Sequence, residues 1–133
     1  MSSDYKDNRT RKNSQLSSFR LAVIGIFTAV KQERNMRIHV IFSILVLLFA
    51  FYFSLSKIEW ICILFSIGMV ISMELLNTAI ERVVDLTTSE FHPLAKEAKD
   101  IAAGAVFVSA IVSVVVGCII LVPKLVEALY IWI

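Results

Sequence analysis

From Ile101 to Val122 the chain runs for twenty-two residues without a charge. As a helix rising 1.5 Å per residue, such a run covers the roughly 30 Å hydrocarbon core of a bilayer. Two more stretches are candidates to cross it. Val40 to Ser56 is uncharged and rich in Leu and Phe, and a span from about Ile58 to Asp85 starts at the interfacial anchor Trp60 and is apolar through Ser72. In a chain of 133 residues, a hydrophobic share of 58% and a mean hydropathy of +0.79 exclude an ordinary soluble domain. The pattern predicts an all-α integral membrane protein with transmembrane helices over about 38–56, 58–85 and 95–122, the last closed by Pro123 and Lys124.

The remaining segments fit around these spans. Residues 1–13 are polar, without periodicity and without the early apolar run of a signal peptide, and are expected to be a disordered cytoplasmic tail. Over about 14–35, Leu16, Phe19, Leu21, Val23, Ile26, Phe27 and Val30 alternate with Arg20, Lys31 and Arg34, which predicts an amphipathic surface helix in the membrane interface. Pro93 suits a first helical turn, and Lys96, Glu97, Lys99 and Asp100 a polar helix start. Residues 14–133 therefore read as one domain. Small residues at helical spacing, among them Ala102, Ser109, Ser113 and Gly117, favour close helix packing in lipid.

Eight of the thirteen Lys and Arg residues precede residue 38, and Arg82, Lys96 and Lys99 surround the 86–98 connection. The positive-inside rule then places the amino terminus and that connection in the cytoplasm, at the plasma membrane. A net charge of +2 offers no footprint for nucleic acid. Cys62 and Cys118 fall at similar depth but read as apolar filler, with no disulfide assigned.

The second span breaks its own pattern at MELLNTAIERVVD, residues 73–85. Glu74, Asn77, Glu81 and Asp85 stand at i, i+3, i+7 and i+11, one narrow stripe of a helix, with Leu75, Leu76, Ile80 and Val83 away from it. A carboxylate facing acyl chains costs several kcal/mol, so the stripe must face the bundle interior, a cation or water. Arg82 and Asp85 also suit ordinary interfacial charges, and Asn77 an interhelical hydrogen bond; Glu74 is too deep for that explanation. Two carboxylates seven residues apart can share a cation with a third, for which Glu33 is the natural candidate, and Mg²⁺ prefers few carboxylates plus phosphate oxygens. Lys99 suits phosphate neutralisation, while His39 and His92 read as interfacial polar groups. No Gly-rich phosphate loop occurs. A non-enzymatic proton or cation pathway would need the stripe to continue outward, but Cys62 to Met73 offers only Ser66 and Ser72 as hydroxyls.

ELLNTAIERVVD at 74–85, followed by HPLAKEAKDIAAGAV at 92–106, resembles the small prokaryotic diacylglycerol kinase family. ERNMRIH at 33–39 is most similar to its Gram-positive branch, the undecaprenol kinases. The resemblance covers about residues 14–124. It implies a homotrimer, each chain with a surface helix and three transmembrane helices, that moves the γ-phosphate of ATP, with Mg²⁺, to a lipid alcohol at the cytoplasmic interface. Undecaprenol is the acceptor it favours, and diacylglycerol the alternative. By position it implies Glu74 as catalytic base with Asn77 beside it, and Glu33 and Glu81 as metal-holding carboxylates at the nucleotide. It further implies Asp85, Glu90, Phe91, His92, Lys99 and Asp100 near the nucleotide. Where relatives offer an Arg and an aromatic to the nucleotide, this chain has Ser14 and Leu21.

Overall fold

The computed structural model describes residues 15–88 and 90–131, so the expected 1–13 tail and Ser14 lie outside the described residues. Among those described, the chain forms four α-helices: α1 (Gln15–Gln32), α2 (Arg34–Tyr52), α3 (Lys57–Thr87) and α4 (Pro93–Ile131). The last three are long and apolar enough to cross a membrane. Large apolar side chains such as Phe65, Leu76, Val83 and Phe107 are exposed, as surfaces meeting lipid must be.

The boundaries differ from expectation for identifiable reasons. The first helix stops at Gln32 and α2 starts at Arg34, ahead of residue 38, because the charged turn after Glu33 is itself helical. Only Glu33 separates them, extended at φ −96°, ψ 126°. Arg37 Nη1 donates to the Lys31 carbonyl at 2.9 Å, satisfying an acceptor that the end of α1 leaves free. At the other end, α2 stops at Tyr52 rather than 56. Ser54 adopts a left-handed φ of 49°, its N–H donates to Phe51 O, and the Leu55 N–H donates to Ala50 O. That paired capping is a Schellman turn. Leu55 then packs with Ala50 and Ile63 in a small cluster backed by Trp60.

A capping box starts α3: the Ser56 N–H donates to Glu59 Oε2 at 2.7 Å, and the Glu59 N–H to Ser56 Oγ at 3.4 Å. The expectation that Pro123 closes the last span is corrected, since α4 continues through it to Ile131. Proline already has a helical φ and removes one backbone hydrogen bond, a loss that membrane helices tolerate. Just beyond it, Lys124 Nζ lies 3.2 Å from Glu59 Oε1 and ties α4 to the start of α3.

The most extensive packing joins α3 to α4. Ala102, Val106 and Ser109 are buried on one stripe of α4, and Ser113 Oγ donates across the pair to Ser66 O at 3.2 Å. Small residues let the backbones approach closely enough for that bond. Cys62 and Cys118 are exposed, free thiols.

Candidate functional site

The buried residues of α3 are Ile63, Ser66, Val70, Glu74, Asn77 and Thr78. All but Thr78 fall on the line that Glu81 and Asp85 extend. The polar stripe is therefore one half of a seam whose other half is almost wholly apolar. Leu76, Ile80 and Val83 are exposed away from it. Glu74 is only 3% exposed and Asn77 7%, whereas Glu81 is half-buried and Asp85 exposed.

Along this seam, Asn77 Nδ2 donates to Glu81 Oε1 at 2.9 Å. The other amide atom, Asn77 Oδ1, is buried with no hydrogen-bond partner among the described residues. A buried acceptor left open costs about 1–3 kcal/mol, so it marks a place where a ligand's donor or a cation would be welcome. Glu74, although buried, receives no hydrogen bond from the described residues. Glu33 reaches α3 through Arg82, at 3.3 Å.

The other sequence-predicted residues form a second group. Asp85, Glu90, Phe91, His92, Lys99 and Asp100 all line one polar cavity of about 360 Å³ between the end of α3 and the start of α4. Lys99 Nζ meets Asp85 Oδ1 at 2.5 Å, and Lys96 pairs with Asp100. His92 Nδ1 accepts from the Leu94 N–H at 3.3 Å, so that ring nitrogen caps α4. Glu33, Glu74, Asn77 and Glu81 do not line this cavity. Glu81 and Asp85, one turn apart on α3, link the two groups.

A third feature is an apolar cavity of about 520 Å³ between α2, α3 and α4. It runs from His39 and Val70, one turn from Glu74, to Leu121 and Val122. Two of its hydroxyls are engaged within the chain, Ser43 donating to His39 O and Ser113 sharing its one hydrogen between Ser109 O and Ser66 O.

Sequence spacing missed the roles of Gln32, Lys96, Thr88 and Arg82. Arg82 read as an ordinary interfacial charge, and its partners lie 49 and 50 residues away, beyond any local periodicity. Lys96 and Thr88 are visible only once the polar cavity is formed.

Among the described residues no group of three or more His, Cys, Asp or Glu side chains is close enough to hold a metal ion. Mg²⁺ is commonly held by one or two carboxylates together with phosphate oxygens. The hard oxygen donors of Glu81 and Glu33 and the open Asn77 Oδ1 suit that chemistry.

Residues 20–121 match the prokaryotic diacylglycerol kinase family. The chain is similar to an undecaprenol kinase of Bacillus subtilis, 48% identical over 122 residues that make up 92% of this chain and 99% of that protein. It is 44% identical over 111 residues to a diacylglycerol kinase of Synechocystis, covering 83% of this chain but 63% of that protein. With a diacylglycerol kinase of Escherichia coli it shares 34% identity over 97 residues, 73% of this chain and 80% of that protein.

Proposed function

The chain belongs to the prokaryotic diacylglycerol kinase family, and from that premise we propose that it is a lipid kinase transferring the γ-phosphate of ATP to the hydroxyl of undecaprenol. The observation that carries the choice of acceptor is the 48% identity to an undecaprenol kinase over nearly the whole of both chains. Diacylglycerol is the second acceptor, favoured by the diacylglycerol kinases among the relatives. Radiolabelled ATP, with undecaprenol and diacylglycerol competing in mixed micelles, tests the choice. Undecaprenyl phosphate should dominate, and a product that is mainly phosphatidic acid would reassign the acceptor.

In this mechanism the lipid hydroxyl oxygen forms a bond to the γ-phosphorus as the bond to the β–γ bridging oxygen breaks, and ADP leaves. Glu74 takes the hydroxyl proton. Its burial supports that role, as does the lack of any hydrogen bond to it from the described residues. The apolar cavity starting one turn away suits the hydrocarbon tail of the acceptor, whose hydroxyl would then arrive at Glu74 from the membrane side. Asn77 Oδ1, with no hydrogen-bond partner among the described residues, would complete the cation's oxygen set. Glu33 and Glu81 would hold Mg²⁺, which supplies neutralisation of phosphate charge when bound. In the polar cavity, Lys99 gives a second positive charge, held ready by Asp85, while Glu90, Phe91, His92 and Asp100 surround the nucleotide.

The working unit is a homotrimer, with α1 lying on the cytoplasmic membrane surface. The apolar side chains exposed along every long helix support assembly in lipid. The amino terminus and the α3–α4 connection face the cytoplasm, a reading that the Lys and Arg distribution supports. With Cys62 and Cys118 replaced by alanine, a cysteine at Glu97 should react with an impermeant maleimide only from the cytoplasmic side. One at Lys57 should react only from outside, and the reverse pattern would overturn the orientation.

A further inference from the structure

The elbow between α1 and α2 is held by two guanidinium groups that take no part in the transfer step. Arg37 caps the end of α1 from within α2. Arg82 reaches the elbow from α3: its Nη2 donates to Gln32 Oε1 at 2.7 Å and to Glu33 Oε1 at 3.3 Å. Glu33 stands at the N-terminus of α2, where an acidic side chain would ordinarily turn toward the free N–H groups. Here its side chain makes no capping bond. It lies toward α3 instead.

The two bonds are unequal in an informative way. A charged pair normally gives the shorter contact, yet the short bond goes to the neutral amide of Gln32 and the long one to the carboxylate. We infer that Arg82 is a positioning residue, which fastens the α1–α2 elbow to α3 through Gln32 and so holds the Glu33 carboxylate against the part of α3 that carries Glu81. It is neither a cation ligand nor a nucleotide contact. Because Gln32 carries the fastening, Glu33 Oε1 is free to leave Arg82 for a cation while the elbow stays in place. The delivery half of this role rests on Glu33 acting as a Mg²⁺ ligand, as proposed above; the fastening half does not.

Arg82 is also a positive charge near a cation site, and its removal would by that effect alone tighten binding. The pair is 45% and 32% exposed, so solvent screens its charge. Loss of position should therefore outweigh loss of repulsion. Gln32→Leu separates the two effects, because it removes the acceptor and changes no charge.

Two measurements on the full chain in bilayer nanodiscs test the inference. Nitroxides at Phe27 on α1 and Leu86 on α3, both exposed, are introduced with Cys62 and Cys118 replaced by alanine and diluted with unlabelled chain. Without metal or nucleotide, the inter-label distance distribution should be narrow in the parent and in Arg34→Gln, and broad in Arg82→Gln and Gln32→Leu. Mn²⁺ is then titrated as the probe ion, its free concentration read by its paramagnetic resonance. Arg82→Gln and Gln32→Leu should each weaken Mn²⁺ binding by roughly tenfold, as loss of a ligand's supporting partner typically does. Arg82→Lys should recover part of that loss. Narrow distributions in both variants would overturn the fastening. Tighter Mn²⁺ binding in Arg82→Gln with no change in Gln32→Leu would overturn the delivery and leave Arg82 as a competing charge. If Glu33→Gln leaves Mn²⁺ binding unchanged, the ligand assignment of Glu33 fails, and the delivery role with it, whatever the distances show.

Discussion

Glu74→Gln should fold, assemble and bind nucleotide, yet lose turnover by about 10²–10⁴-fold, the range typical of removing a general base. The position makes this a sharp test. Glu74 is 3% exposed, lies in a membrane-spanning helix and receives no hydrogen bond from the described residues. Glutamine has the same shape and no charge to desolvate, so a purely structural Glu74 would be improved or unchanged by the replacement. Glu74→Asp keeps the charge but withdraws it by one methylene, and should retain intermediate activity. Purified Glu74→Gln that phosphorylates undecaprenol at the parent rate would end its assignment as the base.

Glu81→Gln should produce the second large loss, at least the 10–100-fold that removing a mere supporting partner of a metal costs. It should be accompanied by a Mg²⁺ titration displaced to higher concentration. The amide oxygen of glutamine can still accept from Asn77 Nδ2, so the 2.9 Å bond along the seam is retained and the fold should survive. What disappears is the negative charge one turn from Asp85. Glu97→Gln, which neutralises an exposed carboxylate at the start of α4, should leave the titration unchanged. A Glu81→Gln protein with parent turnover and an unmoved titration would remove Glu81 from the cation site.

The helices and the seam were legible because hydrophobic run length and a 3.6-residue period are both written locally. Uncharged runs mark α2, α3 and α4, and the i, i+3, i+7, i+11 spacing of Glu74, Asn77, Glu81 and Asp85 locates a face that is buried where it is deepest. Two boundaries were not legible, for opposite reasons. Ser54 closes α2 in a left-handed conformation that sequence would sooner assign to glycine, and Pro123 fails to close α4 although proline is the usual stop signal. At the site, the grouping of Asp85, Glu90, Phe91, His92, Lys99 and Asp100 followed from the family resemblance rather than from spacing, and all six line one cavity. The bond from Arg82 to Gln32 is a tertiary fact spanning 50 residues, and the capping role of His92 depends on side-chain direction. Neither leaves a periodic trace.

The ion pairs at the two ends of the α3–α4 hairpin also make it a gauge of membrane thickness. Glu59 and Asp85 on α3 are 26 residues apart, and their partners Lys124 and Lys99 on α4 are 25 apart, so both rails measure about 38 Å between ties. That exceeds the roughly 30 Å of hydrocarbon and approaches the 40–45 Å that includes the headgroup regions. Because the rails are matched in length and paired at both ends, sliding one helix past the other would break both ion pairs and the packing of the seam. The hairpin must tilt as one body, or the bilayer must deform around it. Lipids with progressively shorter acyl chains would thus act on this protein as a mechanical load, shifting the depth of Glu74 relative to the headgroups while leaving its neighbours in register.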